Sequence, residues 1–358
     1  MNAGGAETFL MKVYRELDKT KYQIDFAVGT KEKGFYDEEI IALGGHIHHI
    51  SPKSEGLFKN FGEIKQLVEK NGYNYVLRVS QHSLSALELY AAKRGGAKVR
   101  AFRSSNSSTT AGGGKDLILH KMCSFMPKIY ANVRIAPSTE AADFMFGRNC
   151  VKKGKAAILH NAVDLSVFRY GGDDSSKIRQ EFGLEDKLVI GHIGRLNHQK
   201  NHKFLLDVFA KIKEKEDKAV LVLVGKGELE NEIKAKVDDL GLSNSVIFTG
   251  VRSDIPALLS AMDVFVFPSF YEGMPNTVIE AQATGLPCII ADTITREADI
   301  TGLVRYMSLD ETADEWANAA LSAISEERAD TKQKFIDNKY DIDSTVKYFT
   351  ELVFGIEE

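Results

Sequence analysis

Two glutamates eight positions apart, Glu272 and Glu280, lie where side chains commonly bind ligands. The apolar run 263–268 before them ends at a proline and predicts a buried strand. Gly273 and Pro275 predict a turn, after which the pattern becomes helical. Glu272 is therefore expected in a strand-to-helix loop and Glu280 near the start of the helix. In an open parallel sheet such loops lie at the carboxyl ends of the strands, where ligands bind. Taken alone, the two carboxylates are better explained as solvated groups around a capped helix.

A second candidate pair is cationic. Arg195 and Lys200 follow a predicted strand at 188–193. The planar fork of an arginine and the point charge of a lysine suit a diphosphate, whose charge must be neutralised as it leaves. A predicted helix after Asn201 adds backbone N–H groups at its positive end. The alternative is an ordinary surface loop that carries two cations.

Composition limits the class of protein. A chain of 358 residues with 44% hydrophobic and 27% charged residues is typical of a soluble globular protein of about two domains. The three cysteines, Cys123, Cys150 and Cys288, lack metal-ligand spacing, which favours a reduced cytosolic setting. No signal peptide and no apolar run long enough to span a membrane is recognisable.

The formal net charge of −4 conceals a strongly basic segment. Residues 93–155 contain 13 lysines and arginines but three acidic residues. Such a segment can attract anionic lipid head groups or a phosphorylated acceptor, although many of these side chains must simply be solvated. No nucleic-acid-binding module accompanies the charge, so a nucleic-acid partner is not predicted.

Predicted strands alternate with amphipathic helices, which indicates an α/β protein with parallel sheets. A first domain has predicted strands at 22–29, 46–51, 75–80, 98–103 and 133–138. Helical stretches are predicted near 6–18, 36–43, 57–71, 83–94 and 115–131. A second domain has predicted strands at 188–193, 219–224, 246–249, 264–268 and 287–291, with helices between them.

The segment 269–281 resembles the donor-site signature of the family 4 retaining glycosyltransferases. Further segments resemble other loops of that family, and together they cover most of the chain: 4–7, 161–164, 191–201, 224–228 and 248–252. The resemblance implies the GT-B fold, in which two Rossmann-like domains face each other across a cleft. It implies an acceptor-binding domain at 1–165, a nucleotide-sugar-binding domain at 166–340, and a closing helix at 341–358 that packs on the first domain.

The start of the chain departs from the family pattern. Family members have a hydrophobic strand before the Gly4-Gly5 loop, and here the first strand is expected to be missing. Because that strand is central in the fold, its loss is expected to leave unpaired strand edges.

The resemblance also assigns roles at the donor site. It implies that Glu280 accepts hydrogen bonds from the ribose hydroxyls, that Glu272 contacts the sugar, and that Arg195 and Lys200 bind the diphosphate. The remaining donor-site residues are expected to act mainly through their backbone: Gly5, Gly194, Gly225, Val251, Arg252, Gly273, Met274, Pro275, Asn276 and Thr277.

One residue common in the family is absent. Many members carry a histidine near the sugar after the strand that corresponds to 98–102, and here Arg103 follows. Arg103 is therefore grouped with Glu272, Arg195 and Lys200 as a catalytic candidate, although an arginine cannot act as a base. His82, Ser105, Asn106 and His120 are candidates on the acceptor side, with a structural role as the alternative for each histidine.

The function that the resemblance implies is retaining transfer of a hexose or N-acetylhexosamine from a nucleotide sugar, expected to be UDP-linked, to a lipid-linked saccharide or glycan acceptor. The expected setting is surface polysaccharide biosynthesis in the cytoplasm, with peripheral contact to an anionic membrane. No metal and no cofactor besides the donor is expected. Two alternatives stay open: an inactive GT-B scaffold, and a GT-B sugar-nucleotide epimerase, which would need acid–base residues such as His82 and His120.

Overall fold

The computed structural model describes Met1 and residues 5–105, 113–171, 175–324 and 328–355, with the side chains of 113–115 excluded. The chain divides into two compact units. Unit 1 comprises Met1–Ala162 together with Tyr340–Glu358, and unit 2 comprises Val163–Lys339. Asn106, one of the acceptor-side candidates, and Gly4 lie outside the described residues.

Unit 1 alternates strands and helices, as the sequence pattern predicts. Its strands are β1 (Phe26–Val28), β2 (Ile47–His49), β3 (Tyr75–Ser80), β4 (Val99–Ser104), β5 (Val133–Ala136) and β6 (Ala157–Ile158). Its helices before residue 162 are α1 (Gly5–Glu16), α2 (Asp37–Ala42), α3 (Leu57–Asn71), α4 (Ala86–Arg94), α5 (Gly113–Met122), α6 (Met126–Tyr130) and α7 (Thr139–Phe146).

The strands of unit 1 form two separate parallel sheets. One sheet has the order β3-β4-β5-β6, and the other contains β1 and β2. A cavity of about 800 Å³ lies between them, lined by side chains of β1 such as Phe26 and Val28 and of β3 such as Leu77 and Val79. In the described part of the chain nothing pairs with the edges of β1 and β3 that border this cavity.

Unit 2 has the same alternation. Its strands are β7 (Leu188–Ile193), β8 (Ala219–Val224), β9 (Val246–Gly250), β10 (Val264–Phe267), β11 (Cys288–Ala291) and β12 (Val304–Met307). Its helices are α8 (Ser175–Phe182), α9 (His202–Lys215), α10 (Glu230–Asp239), α11 (Ile255–Ala261), α12 (Asn276–Ala283), α13 (Ala313–Ile324) and α14 (Lys332–Asp337). The last helix of the chain, α15 (Ile342–Phe354), belongs to unit 1.

The sheet of unit 2 is parallel throughout, with the order β12-β11-β10-β7-β8-β9. Its central strands are buried along their whole length, which explains why they are continuous apolar runs and not alternating patterns. From β7 the chain adds β8 and β9 on one side, and β10, β11 and β12 extend the other side. The strand order therefore reverses between β7 and β10, and such a switch point opens a crevice at the carboxyl ends of the strands.

The core of unit 1 includes the closing helix. Phe349 and Val353 of α15 pack with Phe9 and Val13 of α1 and with Val99 of β4. The amphipathic spacing of α15 places these residues on one face, which is the face that it buries. Asp341 starts this helix by accepting a hydrogen bond from the Ser344 backbone N–H.

The three cysteines are free thiols buried in the two units. Burial raises the pKa of Cys123, of Cys150 and of Cys288 above the usual thiol range, with the Asp143 carboxylate adding to the effect at Cys150. No helix in the described ranges has the length and apolarity that a membrane span requires.

Candidate functional site

The candidate site lies on two loops of unit 2 that follow the adjacent strands β7 and β10. Ile190 and Gly191 of β7 pair with Val264 and Phe265 of β10. The loop after β7 carries Gly194, Arg195 and Lys200, and the loop after β10 carries Glu272. Both loops therefore leave the sheet on the same side, at the point where the strand order reverses.

The loop after β7 is held in shape by its own side chains. Asn197 accepts a hydrogen bond from the Lys200 backbone N–H at 3.3 Å and starts a 3₁₀ turn at His198–Lys200. Asn201 then adopts a left-handed conformation with φ 54°, which asparagine tolerates better than most residues, and α9 begins at His202. This geometry fixes Lys200 immediately before the positive end of a fourteen-residue helix.

Lys200 and Glu272 form a shielded ion pair. The Lys200 Nζ lies 2.7 Å from Glu272 Oε1, and the side chains are 14% and 10% exposed. The same ammonium lies 4.3 Å from the centre of the Phe267 ring at the end of β10. The two sequence candidates thus meet directly, and the pair joins the loops on either side of the switch point.

Three further contacts hold the same two loops together. Gln199 Nε2 donates to the Tyr271 carbonyl at 2.9 Å, and the Phe270 N–H donates to the Gln199 carbonyl at 2.9 Å. The rings of His198 and Phe270 stack with centroids 4.9 Å apart. Lys200 and Glu272 are therefore positioned by a contact network and not by their mutual attraction alone.

Close backbone packing explains the glycines next to these loops. Gly225 has φ +136°, and a Cβ at this position would lie 2.1 Å from the Gly194 carbonyl oxygen. A Cβ at Gly227 would lie 2.2 Å from the Leu196 carbonyl oxygen, and one at Gly194 would lie 3.0 Å from Lys200 Cε. The loop after β8 therefore packs against the loop after β7 at a distance that no side chain permits.

Arg195 differs from Lys200 in its surroundings. Its guanidinium lies 3.2 Å from the Glu228 carboxylate, and both side chains are mostly exposed. An exposed pair of this kind contributes little to stability, so the arginine can exchange its partner at small cost. The site thus combines one shielded lysine with one arginine that is accessible to an incoming anion.

The segment after Glu272 leads into α12 as predicted. Gly273, Met274, Asn276 and Thr277 are partly exposed, and Pro275 is buried directly before the helix. Glu280 lies in α12 and is partly exposed. The first turn of this eight-residue helix thus lies beside Glu272, where its N–H groups favour an anionic or hydroxyl ligand.

The loop after β9 presents one exposed and one engaged side chain. Val251 is exposed. Arg252 forms ion pairs with Asp254 at 2.6 Å and Glu181 at 2.7 Å. Hydrogen bonds to Asp254 and then Glu181 raise the pKa of Arg252. The Arg252 side chain is therefore occupied within unit 2, which leaves the backbone of this loop as the part available to a base.

Sequence reasoning missed two histidines behind the site. The His192 and His202 rings are buried with centroids 4.7 Å apart, and His192 Nδ1 donates to the Val266 carbonyl at 2.9 Å. Burial lowers the pKa of His202 to about 4, and the Lys200 charge adds to this effect. Burial, followed by His202, lowers the pKa of His192 as well. The available signal was His202, which lies two residues after the candidate Lys200. The sequence alone does not tell which histidines are buried.

In unit 1, Arg103 is buried beneath the surface. Its Nη2 donates to the Asn161 side chain at 2.6 Å and to the Leu159 carbonyl at 3.3 Å, and its guanidinium lies 3.7 Å from the centre of the Phe9 ring. Burial lowers the pKa of Arg103. The expectation was that Arg103 supplies a charge or a hydrogen bond near the sugar. The observed contacts instead make this side chain a link between β4, α1 and the segment at 159–161.

His82 and His120 both have structural hydrogen bonds. His82 Nδ1 accepts from the Leu84 N–H, which leaves Nε2 to donate to the Asp116 carbonyl at 3.2 Å. His120 is buried, its Nδ1 accepts from the Ser83 N–H, and its Nε2 donates to the Phe144 carbonyl at 3.4 Å. The His120 ring also stacks on Phe144. Both ring nitrogens of each histidine are engaged in hydrogen bonds within unit 1. These contacts favour a structural role for His82 and His120 over a role at the acceptor side.

The other candidates of unit 1 occupy the ends of elements. Gly5 is the first residue of α1 and is exposed. The Ser105 N–H donates to the Ser80 carbonyl at 3.1 Å directly after β4. Across the described ranges, no group of three or more histidine, cysteine, aspartate and glutamate side chains could hold a metal ion.

Comparisons with known proteins agree with this geometry. Residues 174–341 match the family described as glycosyl transferases group 1. EpsF of Bacillus subtilis (strain 168), which is named as a glycosyltransferase, is 35% identical over 342 residues, covering 94% of this chain and 88% of EpsF. An Escherichia coli galactosyltransferase that is named for UDP-Gal and a diphosphoundecaprenol acceptor is 40% identical over 145 residues, which are 38% of this chain and 37% of that enzyme.

The fold comparison covers both units. The crystal structure of Anabaena Alr3699/HepE with UDP and glucose has a TM-score of 0.79 at 18% identity, covering 98% of this chain and 97% of that one. The crystal structure of WaaG, a glycosyltransferase involved in lipopolysaccharide biosynthesis, has a TM-score of 0.71 at 14% identity, covering 99% of this chain and 97% of that one. The chain belongs to the glycosyl transferases group 1 family, and it is a glycosyltransferase with the GT-B fold. The resemblance to glycosyltransferases, the fold class and the enzyme class expected from the sequence are thereby confirmed.

Proposed function

We propose that this glycosyltransferase moves a hexose or N-acetylhexosamine from a UDP-linked donor with retention of the anomeric configuration. The observation that carries the proposal is the Lys200–Glu272 pair at the reversal of strand order, next to the accessible Arg195. Two cations and a carboxylate at one crevice match the two parts of such a donor, a diphosphate and a sugar with hydroxyl groups. Crystal structures of the fold neighbour HepE contain UDP, which supports uracil as the base.

The chemistry that these residues support is charge neutralisation. In the proposed reaction the bond between the anomeric carbon and the phosphate oxygen breaks while the acceptor hydroxyl oxygen bonds to the same carbon from the same face. The acceptor proton passes to the leaving phosphate, so the products are the glycoside and UDP. Arg195, Lys200 and the first turn of α12 stabilise the negative charge that develops on the leaving group. Glu272 binds a hydroxyl of the transferred sugar, and Glu280 binds the ribose.

This mechanism needs no protein nucleophile and no general base. His82 and His120, on which an epimerase would depend, have both ring nitrogens engaged in unit 1. We therefore favour transfer over epimerisation. We also propose that a catalytic divalent metal is not required, since Arg195 and Lys200 supply two positive charges to the diphosphate; unchanged turnover after treatment with EDTA is the expected result.

The acceptor is proposed to be a lipid-linked saccharide or a glycan in surface polysaccharide biosynthesis, assembled at the inner face of a membrane. Two relatives support this class, because their names specify diphosphoundecaprenol-linked acceptors. The basic character of residues 93–155 agrees with a phosphorylated acceptor or an anionic surface.

Thermal unfolding with UDP, GDP, ADP or CDP tests the donor site. Trp316 is the single tryptophan of the chain and is buried in α13, so its fluorescence reports on unit 2. A ligand of the folded state adds about 2.7 kcal/mol of stability at a hundredfold excess over its Kd. We expect UDP alone of the four to give a large shift, and transfer assays with UDP-hexoses and UDP-N-acetylhexosamines then identify the sugar.

Two variants and a control make this test specific. Arg195→Ala and Lys200→Ala are expected to remove most of the shift. The control is Lys203→Ala, three residues after Lys200, which breaks an exposed ion pair with Glu232. This variant should keep the full UDP-induced shift. A UDP shift that survives both site variants would place the nucleotide elsewhere, and a shift with none of the four diphosphates would overturn the donor assignment.

A further inference from the structure

A stripe of exposed apolar side chains runs along α5 and α6 in unit 1. Ile118, Met122, Phe125 and Ile129 are 61%, 70%, 49% and 63% exposed. Their spacing of four, three and four residues places them on one face if the helical path is continuous. Backbone hydrogen bonds continue through the short turn between the helices, from Ser124 N–H to the Lys121 carbonyl and from Met126 N–H to the Cys123 carbonyl. These four residues are called the apolar stripe below.

The apolar stripe is exposed because the opposite face of the same segment packs against the core of unit 1. His120, Cys123 and Pro127 are buried, and His120 hydrogen-bonds Ser83. Met126 and Tyr130 pack against the core cluster of unit 1. The segment therefore already buries one apolar face, and the stripe is a second one that nothing in the described part of unit 1 covers. A contiguous exposed apolar patch of this kind commonly marks an interaction surface.

Positive charge borders the stripe. Lys121 and Lys128 are exposed and lie beside it on the same two helices. At the α6 end, Arg134 donates to the Lys128 carbonyl at 2.6 Å and to the Lys155 carbonyl at 3.2 Å, so these three residues are neighbours. A Cβ on Gly147 would lie 3.3 Å from Lys128 Nζ, which places the exposed Arg148 in the same neighbourhood.

The wider segment has the same sign of charge. Residues 116–155 contain seven lysines and arginines and three acidic residues. One of those acidic residues, Asp143, accepts a hydrogen bond from the Cys150 thiol, with the two heavy atoms 3.7 Å apart. An apolar stripe with a basic border is the pattern of a helix that lies in the interface of an anionic bilayer. A second copy of the chain fits less well, because a two-fold contact through this surface would bring the basic borders of both copies together.

We propose that the apolar stripe is a membrane-docking surface, which inserts Ile118, Met122, Phe125 and Ile129 among acyl chains while the basic border contacts anionic lipid head groups. The occupant is a lipid bilayer with anionic lipids. This surface lies in unit 1, and the donor site lies in unit 2. The proposal rests on the membrane association proposed above and assigns it to a defined surface. It can be tested independently of donor binding.

Vesicle sedimentation of the full chain tests the surface. The probes are vesicles of phosphatidylcholine alone and of phosphatidylcholine mixed with phosphatidylglycerol. We expect binding to the mixed vesicles that weakens as the salt concentration rises. The fourfold variant Ile118→Ser/Met122→Ser/Phe125→Ser/Ile129→Ser should bind the mixed vesicles roughly tenfold or more weakly, because the buried apolar area is lost. The double variant Lys121→Gln/Lys128→Gln should lose most of the preference for phosphatidylglycerol.

The matched control is Phe58→Ser, which removes a 95% exposed apolar side chain from α3 of the same unit. It should bind vesicles like the unaltered chain, and all variants should keep the stabilisation by UDP. Equal vesicle binding by the fourfold variant would overturn the proposal. Loss of a concentration-dependent dimer in that variant, measured by analytical ultracentrifugation without lipid, would overturn it as well and assign the stripe to self-association. Loss of UDP binding in the unaltered chain would instead count against the donor assignment.

Discussion

Lys200 and Glu272 are 72 positions apart in sequence, yet their charged atoms lie 2.7 Å apart where the strand order of unit 2 reverses. The lysine proposed to bind the diphosphate is thus in direct contact with the glutamate proposed to bind the sugar. An incoming diphosphate must share or take over the ammonium. This relationship couples the two halves of the donor, and it makes separable predictions for the nucleotide and for the sugar.

Glu272→Gln is expected to separate nucleotide binding from transfer. The amide keeps the shape but removes the anion that competes for Lys200, so UDP without a sugar should bind as tightly as before or more tightly. Transfer should fall by roughly 100-fold, because a charged contact to the reacting sugar is lost. Calorimetric titration with UDP and initial-rate assays measure the two effects.

The control for that substitution is Glu232→Gln, which neutralises a glutamate in an exposed pair with Lys203 and should change neither quantity. UDP affinity that fell in parallel with the transfer rate would show that Glu272 supports the nucleotide site and does not compete with it.

Lys200→Met is expected to destabilise unit 2 by about 3 kcal/mol, because it leaves the shielded Glu272 carboxylate without its partner. The double variant Lys200→Met/Glu272→Gln should recover part of that loss, since the uncompensated charge is gone. Urea unfolding followed by Trp316 fluorescence measures both. Lys211→Met, which breaks an exposed pair with Glu214, should leave the free energy of unfolding nearly unchanged. A strictly additive double variant would contradict the coupling.

Gly225→Ala tests the close packing of the loops after β7 and β8. The new Cβ would collide with the Gly194 carbonyl oxygen, and the φ of +136° is itself unfavourable for alanine. We expect a loss of about 3 kcal/mol or more and much weaker UDP binding, since Gly194 and Lys200 must shift. Gly241 also has a positive φ, of 69°, but open space surrounds the position of its Cβ. Gly241→Ala therefore measures the backbone strain alone, which should cost about 1 kcal/mol. Equal costs at the two positions would refute the packing argument.

Arg103→Lys distinguishes a structural arginine from a catalytic one. Lysine cannot reproduce the planar contact with Phe9 together with the bonds to Asn161 and Leu159, so unit 1 should lose about 2 kcal/mol. Hydrogen exchange of the β4 amides should speed up, and the affinity for UDP should stay unchanged. Unchanged exchange combined with a large loss of transfer would instead restore a direct role in the chemistry.

The buried histidines predict acid sensitivity of unit 2. The pKa of His202 is lowered to about 4, and unfolded histidine titrates near 6.5. As the pH falls below about 6.5, the unfolded chain therefore takes up the proton first. The stabilising contribution is complete above that pH and is lost progressively down to about pH 4, which amounts to about 2 kcal/mol between pH 7 and pH 5.

His202→Phe should remove this part of the pH dependence. Urea unfolding at pH 7 and pH 5, followed by Trp316, should show a smaller loss for the variant than for the unaltered chain. His46→Gln, at an exposed position of unit 1, is the control and should leave the loss unchanged. An equal loss in His202→Phe and the unaltered chain would contradict the assignment.

The sequence predicted most of unit 2 because its central strands are buried on both faces and are therefore uninterrupted apolar runs. For β7 and β8 the predicted bounds and the observed bounds are identical. It also placed Glu272 in a loop and Glu280 in the following helix. The strand β12 was missed, because Val304–Met307 is a short, partly exposed segment with an arginine in it. At β1 and β2, the predicted strands are longer than the observed ones, in the region beside the cavity.

Long-range partners were beyond the reach of the sequence. Arg103 was expected near the sugar, because it stands where many family members carry a histidine. Its burial depends on Phe9 and Asn161, which lie far away along the chain. The direct contact between Lys200 and Glu272 was not predicted either, since the motifs describe each loop by itself.

The native cysteines of this protein are expected to react only slowly with thiol reagents, because all three are buried. Cys123, Cys150 and Cys288 are buried, and their raised pKa values keep them protonated at neutral pH, so alkylating reagents should react with them slowly. A single cysteine introduced at an exposed position, such as Met122→Cys, would then be the reactive thiol of the folded chain. A fluorophore attached there would report the polarity around the apolar stripe without any need to remove the native cysteines.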